Sequence, residues 1–379
     1  MKAKIINLEL LFSCDDSLDS WQIATIKKQQ ALDEIVPGYD TVIGLLLIDG
    51  FLYKSDLEFK TFVEELHAKC KACGISKLVL VPGMCQQLEL GCEILFFDYN
   101  LNIVYNSYKH ETVTTSNVNA EKFLFLTGIP SRPNRVRLTY KLWKAGLLAQ
   151  ANWSFFKPWT EYDGNICRNL MSDLTDKKYN TFINACERKI DNAYDNAKHY
   201  SHSKGSEFIA NQITKTDFCK DPSWIDPSVF EQTAFSVISE GVTDPNLNTM
   251  FLSEKTWRTI LNKHAFILAG TPEMYSYAKS LGLNMFEDFM SIKDYGSIKD
   301  TEEQLDAIVV NTKYFLKHKH KHRVAIEQAI EHNYVRMLEL VDINCQVVTQ
   351  LQNYGADAML LDKYFNSKSH FTIMEIHRA

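Results

Sequence analysis

Short apolar runs alternate along the chain with stretches whose apolar residues recur at helical spacing. Residues 5–12 read as a strand, and 21–35 as a helix after the polar segment 13–19. Residues 42–48 are an unbroken apolar run closed by Asp49-Gly50, the pattern of a strand buried on both faces. Phe59, Phe62, Val63 and Leu66 mark one face of a helix over 57–73, and Gly74 is suited to end it. Two further strands are expected at 77–81 and 93–97. Strands separated by helices of this length predict a mainly parallel, three-layer α/β domain.

The same rhythm restarts at Lys122. A strand at 123–127 leads through a turn at 128–134, which holds two prolines, into a helix over 135–148 with Leu138, Leu142 and Ala145 on one face. Residues 160–230 are more polar and read as helices and loops. A strand at 233–239, a loop at 241–248, a helix at 254–262, a strand at 265–268 and a helix at 272–281 follow. The remainder, 301–379, is helical in pattern and carries the basic run 317–323. The expected organisation is therefore α/β: one domain over 1–118, a second over 119–300, and a helical segment over 301–379 that packs across both.

Composition narrows the class. An apolar share of 45% with 23% charged residues is that of a chain able to bury a large core. The formal net charge of −6 argues against a dedicated polybasic nucleic-acid binder while leaving room for a local basic patch. The apolar run at 42–48 is far short of the roughly 20 residues that cross a bilayer, and Glu9 interrupts what would be the apolar part of a leader. Nine cysteines, an odd number scattered over a long chain, fit reduced thiols in a cytoplasmic protein. Cys70 and Cys73 with Cys85 and Cys92 are spaced loosely like metal ligands, but Cys70 and Cys73 fall within a helical pattern and read as core thiols.

Two junctions carry candidate chemistry. In the first, Thr127-Gly-Ile-Pro-Ser-Arg-Pro-Asn-Arg-Val-Arg, a strand feeds a helix whose first turn holds Arg135 and Arg137 without a neighbouring acid. Helix N-termini carry partial positive charge, so these arginines call either for an anion such as phosphate or for distant acids or solvent. In the second, Glu240 closes a strand at its carboxyl end, where open α/β sheets place ligands. The following box, Leu252-Ser-Glu-Lys-Thr-Trp, offers Ser253 as an N-cap and puts Glu254 and Lys255 in the first helical turn. A carboxylate there suits a ribose diol and an ammonium suits a diphosphate; the alternative is dipole compensation and a solvated lysine. No Asp-x-Asp occurs in the sequence, so no acidic pair is spaced to hold a divalent metal on a diphosphate, and none is expected. The histidines and lysines of 317–323 read as a solvated basic face, with a phosphate-facing patch or metal binding by His318, His320 and His322 as the alternatives; Trp143, Trp153 and Trp159 read as packing, with base stacking by Trp153 or Trp159 as the alternative.

The ordered pair of junctions resembles the donor half of nucleotide-sugar glycosyltransferases of the GT-B type, in particular the α-1,3-fucosyltransferase-like group. It is also similar to glycosyltransferase-like proteins of large tailed phages and giant viruses. The resemblance spans about residues 120–290. It implies two Rossmann-like domains facing across a cleft, with C-terminal helices, and a metal-independent, inverting transfer of a sugar from a nucleotide sugar to an acceptor hydroxyl. Carried over by position, Arg135, Arg137 and Lys255 would hold the diphosphate, Glu254 the ribose, with Ser253 capping the helix and Glu240 near the transferred sugar. Direct attack requires a general base on the acceptor side. Among the strand-end carboxylates Asp15, Asp16, Asp49 and Asp98, Asp16 or Asp49 is expected to serve. The acceptor is a hydroxymethylated base in viral DNA, with Lys317, Lys319, Lys321 and Arg323 on its phosphates, or else a glycan. A non-catalytic nucleotide- or nucleic-acid-binding module is the competing class.

Overall fold

A computed structural model describes residues 1–8, 28–46, 56–83, 90–108, 117–127, 133–154, 227–240 and 251–365, with isolated positions at 26 and within 168–181. Asp15, Asp16, Asp49, Cys85, Trp159 and the turn at 128–132 lie outside the described residues. The chain divides into two compact units: Met1–Asn106, Asn246–Phe251 and Leu338–Ala379 form one, Ser107–Pro245 and Leu252–Met337 the other. Where the pattern placed one helical segment over 301–379, the chain up to Met337 belongs to the second unit and the chain from Leu338 to the first.

In the first unit, β1 (Ala3–Asn7), β2 (Thr41–Leu46), β3 (Lys77–Pro82) and β4 (Glu93–Ile94) form a parallel sheet in that order. Strand geometry sends successive side chains to opposite faces. Ile6, Val42, Leu46, Leu78 and Leu80 accordingly meet Phe62, Val63, Leu66 and Cys70 of α1 (Asp56–Ala72). Ile5, Ile43, Leu45, Val79 and Val81 meet Tyr99 and Ile103 of α2 (Tyr99–Tyr108) and the C-terminal residues Val347, Leu351, Leu361 and Phe365. Both faces are covered, which is why the strands read as continuous apolar runs. At Gly44 a Cβ would lie 2.6 Å from Leu8 Cδ1 and 2.9 Å from Leu80 Cδ2, so the strand needs glycine there. Gly74 ends α1 in the left-handed region at φ 72°, as its position in the pattern suggested.

The last strand of this unit is shorter than expected, stopping at Ile94. The chain then enters α2, which the pattern did not reveal. Asp98 Oδ1 accepts the Leu101 amide at 2.9 Å and so caps this helix. Its main chain exchanges two hydrogen bonds with Asn344, at 3.0 and 2.9 Å. Asp98 thus has a structural task.

In the second unit, β5 (Phe123–Leu126), β6 (Ala151–Ser154), β7 (Phe235–Ser239) and β8 (Ala265–Ala269) are parallel and ordered β6-β5-β7-β8. Helix α3 (Pro133–Lys144) links β5 to β6, and α4 (Glu254–Leu261) links β7 to β8. Next come α5 (Pro272–Ser280) and α6 (Thr301–His318); α7 (Arg323–Asn353) begins in this unit and ends in the first, to which α8 (Ala358–Phe365) belongs. Phe235 of β7 stacks on Phe123 at 5.5 Å between ring centroids and meets Phe315 of α6 at 4.5 Å. Trp257 of α4 is fully buried. Strand β6 is a second element the pattern did not reveal: only four residues, Ala-Asn-Trp-Ser, form it. No helix among the described residues is long and apolar enough to cross a membrane.

Candidate functional site

The strand order of the second unit reverses direction between β5 and β7. From β5 the chain moves outward to β6, and from β7 it moves the other way to β8. By the rule of right-handed crossovers, such a reversal sets the two linking helices on opposite faces, and open α/β sheets bind ligands in the crevice at the carboxyl ends of the strands where it occurs. Parallel pairing at Leu124 and Ser236 brings the two junctions singled out in the sequence to one edge. Arg135 lies in the first turn of α3, Glu240 follows β7, and Ser253, Glu254 and Lys255 begin α4.

The start of α4 is built from its own box. Ser253 caps the helix, its Oγ accepting the Lys255 amide at 3.3 Å. Glu240 is 0% exposed, and its Oε1 accepts the Ser253 amide at 3.2 Å and the Thr256 hydroxyl at 2.5 Å. This anchors a carboxylate at the positive end of the helix dipole. Glu240 Oε2 and the Ser239 hydroxyl are buried without a hydrogen-bond partner among the described residues. Lys255 Nζ pairs with the neighbouring Glu254 Oε1 at 2.6 Å within the first turn of the helix. Lys255 and Arg258 also border a cavity of about 20 Å³, room for about one water, together with Leu126 of β5 and Ser236 and Ile238 of β7.

The two arginines of α3 separate. Arg135 is 7% exposed, within the first turn of the helix. Arg137 points to α6, where it pairs with Glu302 at 2.8 Å; Lys141 pairs with Glu302 at 3.0 Å and Asp306 at 2.5 Å. The acids that balance this cationic helix therefore come from α6, far along the chain. Arg137, Tyr140, Lys141 and Lys144 line a groove of about 580 Å³ against α6, away from the helix start. For Arg137 the distant-acid alternative holds, and its assignment to a diphosphate is corrected.

The basic run does not form a continuous cationic strip. Lys317 and Lys321 are exposed, but Lys319 is only 2% exposed, with Nζ 3.0 Å from His320 Nε2, and burial lowers its pKa. Arg323 donates to Glu327 one helical turn on, at 2.8 Å. Lys319 and Arg323 are thus spoken for within the protein, which corrects the expectation of a four-cation phosphate contact. Cys70 and Cys92 lie against the core beneath α1, where burial pushes both thiols up to about 11. Among the described residues no group of three or more His, Cys, Asp and Glu side chains is arranged to hold a metal ion.

Two features at this edge, and one at the opposite, amino ends of the strands, went unread in the sequence. Thr256 was inside the motif but reads as an ordinary helix residue until Glu240 is seen to bond it. Glu273 follows Thr271, the N-cap of α5, and Pro272, so its signal is that of a helix start; its Oε2 is buried without a hydrogen-bond partner among the described residues. His264 is fully buried, with Nε2 donating to the Thr233 carbonyl at 2.8 Å and Nδ1 accepting from the Ser236 hydroxyl at 2.8 Å. Its role is to tie the start of β8 to β7. Comparison of the chain with protein-family models, with curated proteins and with solved structures finds no match.

Proposed function

We propose that the protein is a metal-independent glycosyltransferase of the GT-B type whose second unit binds a nucleotide sugar at the crevice between β5 and β7. The observation that carries this reading is the convergence of two helix starts on one switch point, with buried Arg135 at one and Glu240, Ser253 and Lys255 at the other. Main-chain amides and a guanidinium suit the diphosphate, and carboxylates suit hydroxyl groups.

In the reaction the acceptor hydroxyl oxygen attacks the anomeric carbon, the nucleoside diphosphate leaves, and the hydroxyl proton passes to a general base. Positive charge at the crevice stabilises the leaving group as it develops. A glycan acceptor is favoured over DNA, because Lys319 is buried and Arg323 is paired, and phosphate contacts dominate DNA affinity.

The test is calorimetric titration of UDP and GDP, in excess chelator, into the wild type and into Arg135→Lys and Lys255→Ala. Binding is expected in the wild type. Each variant should lose roughly 1.5–3 kcal/mol, the range for hydrogen bonds to charged groups. Wild-type affinity in both variants, or no binding at all, would overturn the assignment.

A further inference from the structure

Away from the crevice, α3 and α6 leave a groove of about 580 Å³ between them, within the ordinary range of ligand sites. From α3 it is lined by Arg137, Tyr140, Lys141 and Lys144, one helical face at i, i+3, i+4 and i+7. From α6 it is lined by Glu302, Asp306 and Val309 at matching spacing. Such a stripe normally carries the apolar face of a packed helix. Here burial is achieved on other faces, by Val136, Leu138 and Leu142 of α3 and by Leu305 and Ile308 of α6. The polar stripes are therefore not needed to hold either helix on the core. Ion pairs to acids as exposed as Glu302 and Asp306 also add little stability. What the stripes do is fix a row of donors and acceptors beside an aromatic ring. Tyr140 is half-buried in the groove, with Trp143 next to it at 6.1 Å between ring centroids and the Lys144 ammonium 5.7 Å from its ring centre.

We propose that this groove is a saccharide-binding site, in which a sugar ring lies against Tyr140 and its hydroxyls meet Arg137, Lys141, Glu302 and Asp306. The charges select the ligand. Glu302 and Asp306 occupy the cations that a phosphate chain would need, and they repel such a chain. An apolar peptide finds little to cover beyond Tyr140, Val309 and Ala145. A neutral ligand that both donates and accepts can join without breaking the ion pairs, because a guanidinium carries five N–H donors and a carboxylate about four lone-pair sites. A pyranose is such a ligand, with hydroxyls around its rim and C–H groups on its faces to set against an aromatic ring. The site is separate from the donor crevice: Lys141 follows Arg135 by six residues, about 9 Å along the helix axis. The inference goes beyond the nucleotide-sugar reading and stands without it. Where that reading holds, the groove retains a glycan on the same unit that binds the donor.

The full-length protein is applied to an array of gluco-, galacto-, manno-, fuco- and N-acetylhexosamine saccharides, neutral and sulfated, with single-stranded DNA alongside. The saccharide retained best is titrated calorimetrically into wild type, Tyr140→Ala, Tyr140→Phe and Asp306→Ala, with UDP and GDP titrated in parallel and melting temperatures recorded. At least one neutral saccharide should be retained. Its affinity should fall about tenfold or more in Tyr140→Ala and stay within about twofold in Tyr140→Phe, which keeps the ring face. In Asp306→Ala it should fall about threefold or more, for a lost hydrogen bond. Affinity for UDP and GDP should not change in any variant. If Tyr140→Ala does not fold, Asp306→Ala decides, since that side chain is 66% exposed. No retained saccharide, or wild-type affinity in both alanine variants, overturns the assignment. Retention of sulfated saccharides or DNA in preference to every neutral saccharide overturns it in favour of an anionic chain. Binding of UDP or GDP without any saccharide overturns the groove alone, whereas saccharide binding without UDP or GDP overturns the nucleotide-sugar reading and leaves the groove standing.

Discussion

His264 shows how one side chain links burial to pH. Its ring bridges Thr233 and Ser236 as a neutral imidazole, and burial lowers its pKa from the ordinary 6.5 to about 4. Above pH 6.5 the imidazole is neutral in both folded and unfolded chains and contributes no pH dependence. As pH falls toward 4, the unfolded chain takes up a proton that the folded one refuses, so stability drops. The full drop is about 3 kcal/mol, at 1.36 kcal/mol per pKa unit. Denaturant unfolding of wild type and His264→Gln at pH 7 and pH 4.5 should show a pH-dependent loss about 2 kcal/mol smaller in the variant. An identical loss in both would refute the assignment. Gly296 is a second single-residue constraint: a Cβ there would overlap the ring of Tyr275, which is held between Tyr295 and Glu287. Gly296→Ala should therefore cost about 1–3 kcal/mol in the same measurement, the range for overpacking. Neither residue stands out in the sequence, since both depend on partners brought together only by folding.

At the scale of elements, the sequence was most legible where one period persisted. The strands at β2, β3, β7 and β8 and the helices at α1, α4 and α5 stand where the apolar runs and capping residues put them, to within a few residues. Helix α2 escaped because Asn100, Asn102 and Asn106 lie on it as buried polar residues, giving it the look of a loop. Asn102 is accommodated because its amide donates to the Phe365 carbonyl, a partner far away in the chain. Strand β6 escaped because four residues are too few to show alternation. The same limit applied to the site. The Ser-Glu-Lys box and the Arg-bearing helix start were legible as local motifs, but the Arg137–Glu302 pair joins elements remote in sequence. The box makes its own prediction: Ser253→Ala removes the acceptor for the Lys255 amide and should cost about 1 kcal/mol of stability. By fraying the start of α4 it should also weaken diphosphate binding, whereas Ser253→Asp should largely restore both.

At the scale of the molecule, the chain finishes the first unit last. The N-terminal sheet has one face covered by α1 and the other by α2 together with residues that arrive only after Leu338. Leu351 and Leu361 are both 0% exposed in that second face. Truncating either to Ala should cost about 2–5 kcal/mol, from lost transfer energy plus the cavity left behind. The lesion should be confined to the unit that contains it, because the crevice, α3, α4 and Glu240 all belong to the other. Leu361→Ala is the cleaner test, since it lies on the short helix α8, which belongs wholly to the first unit. Its thermal unfolding should begin at lower temperature, while the calorimetric affinity for the nucleoside diphosphate stays that of the wild type. Loss of diphosphate affinity at a temperature where the second unit is still folded would show that the two units do not divide the work in this way.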